Sequence, residues 1–159
     1  PEQCDILIEA ALRSPSSRGI NPWQFVVVKD KERREQLSQA KSHGAAFLKN
    51  APLAIVVCAD TSKTDVWVED ASIAAIIIHL AAADLGLGSC WAQMRLRSRD
   101  DGSLASDYIS TILDLPEHIQ VEAVIGIGHP ANKIDGHGAD TLLYNQINYE
   151  KFGQPTATG

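Results

Sequence analysis

EDASIAAIIIHLAAADLGLGSCW, Glu69 to Trp91, is apolar or small at nearly every position between Ala71 and Ala83. A helix lying on the surface of a water-soluble domain keeps one polar face, whereas a helix apolar on all faces has to be surrounded by protein. The stretch therefore predicts a long helix, from about Asp65, that runs through the core or a subunit interface. Gly86 predicts its end, because glycine enters the left-handed conformation that closes a helix without steric cost. Ala71 to Ala83 is about 13 residues and contains Ser72 and His79, too short for the roughly 20 apolar residues that span a bilayer. No membrane partner is expected.

Shorter elements flank this helix on both sides. Upstream, Pro52 precedes LAIVVCA, and Pro22 precedes WQFVVV (Trp23 to Val28); both are β-branched apolar runs of strand length. A charged helix is predicted from Lys31 to Lys41. Ile6, Leu7, Ala10, Ala11 and Leu12 recur at helical spacing until Pro15, which leaves SPSSRGINP as a polar, turn-rich loop. Downstream, SCWAQM reads as a third strand, SLASDYISTILDL as a helix and VEAVIGIG as a fourth strand. The Gly-, Asn- and Asp-rich tail from His129 ends in INYEKF, a candidate edge strand. Helices and strands mix without strict βαβ alternation, so an α+β sandwich is favoured over a doubly wound fold.

The 159 residues are the size of one domain, assigned to residues 1–159, and 45% hydrophobic with 21% charged residues is an ordinary globular balance. Fourteen basic against twenty acidic side chains leave −6 at pH 7, a charge that repels a phosphate backbone and argues against nucleic acid. Cys4, Cys58 and Cys90 are odd in number and scattered, which reads as reduced thiols. The N-terminal PEQCDILIEAALRS has no basic segment ahead of an apolar one, as a secretion signal would. The cytoplasm is the expected location.

Two glycine pairs, Gly86-Leu87-Gly88 and Gly126-Ile127-Gly128, suggest a dinucleotide fingerprint, but that motif needs a strand before it and a helix after it to receive the pyrophosphate. The first pair follows a helix, and the second runs into His129-Pro130. His129 and His137, with Asp135 and Asp140, match no metal-ligand spacing, so no metal is expected. His79, inside an apolar helix, reads as a hydrogen-bonded core or interface residue. Arg95, Arg97 and Arg99 form a short basic patch, either a solvated rim or a greeting point for an anionic substrate or a phosphate group.

PSSRGINPWQFVVV (Pro15 to Val28), Ala51 to Asp60, Glu69 to Trp91 and IGIGHPANK (Ile125 to Lys133) together resemble the small nitroreductase family in order and spacing. The resemblance covers the chain from about Asp5 to Phe152. It implies an α+β nitroreductase-like sandwich with a central, mostly antiparallel sheet flanked by helices. It also implies an obligate homodimer with two flavin mononucleotide (FMN) sites built from both chains. Electrons would pass from NADH or NADPH to a nitroaromatic, quinone or related small acceptor by ping-pong hydride transfer. A non-enzymatic flavin-binding or sensor module on the same fold is the alternative.

The same resemblance implies the cofactor-binding residues. Ser16, Ser17, Arg18 and Asn21 stand on the loop that lies against the flavin in the family. Short polar side chains there can reach the ring's polar edge without blocking its face. Arg18 would stabilise the negative charge of the reduced ring, or else is a solvated loop residue. Trp91, Ala92 and Gln93 match the strand whose main chain faces flavin N5. No catalytic side chain is expected, because in hydride transfer the cofactor does the chemistry and the protein orients it. Ser16 and Ser17 could equally form an ordinary capping turn, and Trp91 could be core.

The chain departs from the family at the phosphate end. The Arg-rich opening segment that grips the FMN phosphate is absent, as if the natural start were missing, and the second phosphate-binding cation falls near Ala139 to Thr141. Lys133 and His137 are the nearby substitutes. A buried phosphate without a cation or helix N-terminus is costly, so weak flavin binding or a missing start is the expectation.

Overall fold

The computed structural model describes residues 2–132 and 135–154. A four-stranded sheet forms its centre, with β1 (Trp23–Val28), β2 (Leu53–Asp60), β3 (Gly88–Gln93) and β4 (Ile119–Gly128) in the order β1-β2-β4-β3. Every neighbouring pair is antiparallel. The inner strands, β2 and β4, are those whose sequences read as unbroken apolar runs, because both of their faces are covered.

One face carries α1 (Glu2–Leu12) and α3 (Trp67–Asp84). There Leu7, Ala11, Ala75, Ile78 and Ala82 pack on Ile55, Val57, Ile125 and Ile127. The other face carries α2 (Lys31–Ser38), the short turn Ala46–Lys49 and α4 (Ala105–Ile112). Leu37, Leu48 and Ile109 meet Ala54, Val56 and Val124 there. The result is the expected α+β sandwich, with the sheet between two helical layers.

α3 stops as its sequence predicts. Gly86 takes φ +71°, its N–H donates to the Ala83 carbonyl at 3.0 Å, and the Leu87 N–H donates to the Ala82 carbonyl at 2.8 Å. This doubly bonded left-handed cap satisfies carbonyls that the helix end would otherwise strand. The second glycine pair has a packing reason instead. A Cβ on Gly126 would lie 2.6 Å from Phe47, and one on Gly128 would lie 2.6 Å from Pro52. Only glycine lets β4 pass that close to the neighbouring turn.

Two expectations are corrected. The charged helix ends at Ser38, not Lys41, and Ala40 continues the packing from a turn. The INYEKF segment is not an edge strand: its backbone groups are used locally, with Ile147 N–H donating to the Tyr144 carbonyl at 3.0 Å and Tyr149 N–H to the Gln154 carbonyl at 2.8 Å. α3 is buried on its sheet side, while Ile73, Ile76 and Leu80 are exposed along one flank, the flank that the expected subunit interface would cover. No described helix is long and apolar enough to cross a membrane.

Candidate functional site

The loop between α1 and β1 is closed by its own side chains. Ser16 Oγ donates to Asn21 Oδ1 at 2.6 Å and accepts from the Asn21 N–H at 2.8 Å. Inside that clasp Ser17–Gly19 makes a single tight turn, with Arg18 at φ 53°, Gly19 at 65° and Asn21 at 53°. Left-handed backbone costs a non-glycine residue about 1 kcal/mol, so Arg18 and Asn21 hold it only because the surrounding contacts dictate it. The strongest such contact comes from α3: Ser17 N–H donates to Asp70 Oδ1 at 2.7 Å. Asp70 is 2% exposed, and its Oδ2 is buried with no protein partner. Arg18 and Asn21 lie on the exposed side of the loop.

β3 is an edge strand, so alternate main-chain N–H and C=O groups on its outer side have no strand partner among the described residues. Trp91 packs toward the α1–α3 layer, whereas the Ala92 side chain is buried in the opposite layer. The Ala92 side chain is therefore not available to a ligand. Trp91 Nε1–H donates to Gln93 Oε1 at 2.8 Å, and Gln93 Nε2 donates to the Arg95 carbonyl at 3.1 Å and to Glu122 Oε1 at 3.3 Å. The His79 ring lies parallel to Trp91 at 6.3 Å, and its Nδ1 is hydrogen-bonded to Ser89 Oγ at 2.6 Å. Burial holds the His79 pKa below the ordinary histidine value.

The first turn of α3 links the two groups. Asp70 fastens the loop, and the Trp67 ring lies 5.6 Å from the Arg95 guanidinium just past β3. Both groups belong to the same end of the sheet, where β1 starts and β3 stops. The structure thus pairs Ser16 with Asn21, Ser17 with Asp70, and Trp91 with Gln93. A cavity of about 450 Å³ lies at the other end, among Cys4, Leu7, Lys29, Leu53, Leu87 and His129. Of the two cations considered for a phosphate, His137 is exposed in the tail, and Lys133 lies outside the described residues.

Asp70 and Glu122 escape a reading of the sequence. Each is an acid at the start of an apolar run, Asp70 beside Glu69 in EDASIAAIII and Glu122 alone in VEAVIGIG, and each is buried. That pattern is the signal, because a buried carboxyl in an apolar element has to have a partner.

The sequence matches the family model described as the nitroreductase family over residues 1–46 and 39–129. A relative from Archaeoglobus fulgidus, carrying the provisional name NADH dehydrogenase/NAD(P)H nitroreductase, is 37% identical over 95% of this chain and 86% of its own length. An FMN reductase [NAD(P)H] of Bacillus subtilis is 25% identical over 83% of this chain and 58% of its own. Among solved structures, an FMN-dependent nitroreductase from Clostridium difficile R20291 superposes with a TM-score of 0.93 at 47% identity, covering 95% of this chain and 88% of that one. With sequence motifs, sandwich topology and relatives in agreement over nearly the whole length, the chain belongs to the nitroreductase family.

Proposed function

We propose that the protein is an FMN-dependent NAD(P)H oxidoreductase that passes electrons by ping-pong hydride transfer to a nitroaromatic, quinone or related small acceptor. It works as a cytoplasmic homodimer in this reading. The observation that carries the proposal is an exposed, polar, rigidly fastened loop ahead of β1, at the same end of the sheet as the close of β3, the opposite edge strand, whose outer edge is unpaired. The donor set suits the flavin. Ser16, Ser17, Arg18 and Asn21 supply hydroxyl, amide and guanidinium groups fit for the polar edge of an isoalloxazine, and Trp91 to Gln93 supply main-chain N–H groups.

When bound, the flavin supplies the hydride chemistry at its ring. The chain's residues hold and shape it. Asp70 keeps Ser17 and Arg18 in place, Arg18 offers positive charge where the reduced ring gains negative charge, and the β3 main chain donates hydrogen bonds that need no particular side chain. No side chain has to act as acid or nucleophile.

Purified protein titrated with FMN, then assayed for NADH and NADPH oxidation across an acceptor panel, tests the proposal. Flavin uptake with acceptor-dependent turnover is the expected result. Uptake without turnover with any acceptor would make the protein a flavin-binding module, and no uptake would end the flavin reading.

A further inference from the structure

β4 departs from regular pairing at one place. Val57 of β2 faces Ala123, yet the next residue, Cys58, faces Val121, so Glu122 is an extra residue in β4. Its carbonyl accepts from two consecutive N–H groups, Met94 at 3.1 Å and Arg95 at 3.0 Å. A bulge of this kind reverses the alternation of side chains. Accordingly Val121 packs in the α2–α4 layer, whereas Ile125 packs against α3. The bulge turns Glu122 toward Gln93 and α3.

The Glu122 side chain is 4% exposed. Its Oε1 accepts from Gln93 Nε2, while its Oε2 is buried without a protein partner. Gln93 is held at both ends of its amide, the nitrogen by Glu122 and the Arg95 carbonyl, the oxygen by the Trp91 indole. A flipped amide would set oxygen against oxygen and nitrogen against indole N–H, so its orientation is locked.

We propose that Glu122 is a positioning residue for β3: its carboxyl fixes the Gln93 amide, and the amide fixes the Trp91 indole on the strand that faces the ligand. The positioning stands on the hydrogen-bond chain alone. Its consequence for flavin rests on the reading of β3 given above.

Burial pushes the Glu122 pKa up, with Glu69 of α3 adding to the rise, while the Gln93 hydrogen bond and Arg95 beyond β3 oppose it. The carboxyl therefore keeps its proton to higher pH than an exposed glutamate. On ionising it becomes a stronger acceptor for Gln93, and the change reaches the indole.

The test follows the Trp91 indole N–H resonance of flavin-free, nitrogen-labelled protein from roughly pH 4 to 8, identified by its loss in Trp91→Phe. It is expected to shift with a midpoint above the ordinary glutamate range, near 4.3. The shift should vanish in Glu122→Gln, and also in Gln93→Leu, where Glu122 remains. A resonance that never moves, or one that titrates unchanged in either variant, overturns the proposal; should Glu122→Gln not fold, Gln93→Leu decides. FMN affinity is expected to fall about tenfold in Glu122→Leu, the scale of losing a partner that orients a binding group, and to hold within about twofold in Glu122→Gln. A shifting indole in a protein that takes up no flavin would retain the positioning role and discard the flavin reading.

Discussion

Asp70 carries the loop because a charged acceptor meeting a main-chain N–H makes a strong hydrogen bond, and because burial removes the competing water. Asp70→Asn keeps the shape and removes the charge. It is expected to cost about 1–3 kcal/mol, the range for hydrogen bonds to charged groups and unsatisfied buried partners. Denaturant midpoints measure that cost, and hydrogen exchange at Ser17 to Gly19 should show the loop loosened; an unchanged Ser17 exchange rate would deny Asp70 this role. The loop itself was legible in Pro15, Ser16, Ser17, Gly19 and Asn21, whose turn chemistry is local. Asp70 was not, because its contact spans 53 residues of sequence and its local pattern reads only as an acidic helix start. His79 yields a pH prediction. Its folded pKa is lowered by burial, so the folded state binds the proton less readily than the unfolded one. The stability it contributes is present above about pH 6.5, the ordinary histidine value, and is lost as pH falls through the lowered one. Thermal melts between roughly pH 7 and 5 should fall less steeply in His79→Gln than in the parent, and equal slopes would contradict the assignment.

At the scale of elements, the strands were legible where continuous β-branched runs mark both-side burial, as in LAIVVCA and VEAVIGIG. The helix cap at Gly86 was legible too, since its chemistry lies within a few residues. The bulge at Glu122 was not, because an extra residue in β4 is defined only against β2, from which α3, β3 and α4 separate it along the chain. The tail failed for a similar reason. INYEKF has strand composition, but its backbone groups are taken by Tyr144 and Gln154 instead of a neighbouring strand. Gly126 and Gly128 show how an apparent motif can be packing. Gly126→Ala would set a methyl 2.6 Å from Phe47 Cε2 and 3.0 Å from Leu48 Cδ2, and Phe47 can shift part of the way. A loss of about 1–3 kcal/mol is expected, the usual cost of an extra methylene in a filled core. Gly128→Ala should cost more, because it meets the stiff Pro52 ring. Equilibrium unfolding of the two variants checks both the loss and its order, and a neutral Gly126→Ala would mean that the turn at Phe47 gives way freely.

Among the described residues, α3 carries an apolar surface that one chain leaves uncovered. Along α3, Ala71, Ala74, Ala75, Ile78 and Ala82 are buried, while Ile76 and Leu80 are 49% and 61% exposed and Ile73 shares their flank. Positions 73, 76 and 80 follow helical spacing, so they form a single stripe, and α1 beside it adds Ile6, 42% exposed. A stripe of this kind in water attracts a partner. A second copy of the chain is the simplest one, because the same stripe meets itself across a twofold axis. The sequence, apolar on every face of α3, already called for more cover than one chain supplies, but could not say which flank. The exposed and buried residues now separate assembly from folding. Ile78→Asp should unfold the chain, since it places a charge in the core between α3 and the sheet. Ile76→Asp should leave the fold and its circular dichroism intact while weakening self-association by at least ~2 kcal/mol, roughly 30-fold, as for a central interface residue. Ile77, half-buried at the edge of the stripe, should lie between them. Sedimentation at low micromolar concentration decides: a parent dimer and a folded Ile76→Asp monomer are expected, and a parent that sediments as a monomer, or an Ile76→Asp variant that stays dimeric, would move the interface off α3. If the flavin site is completed by the partner, the folded monomer should also lose its flavin, which ties assembly to function in one sample.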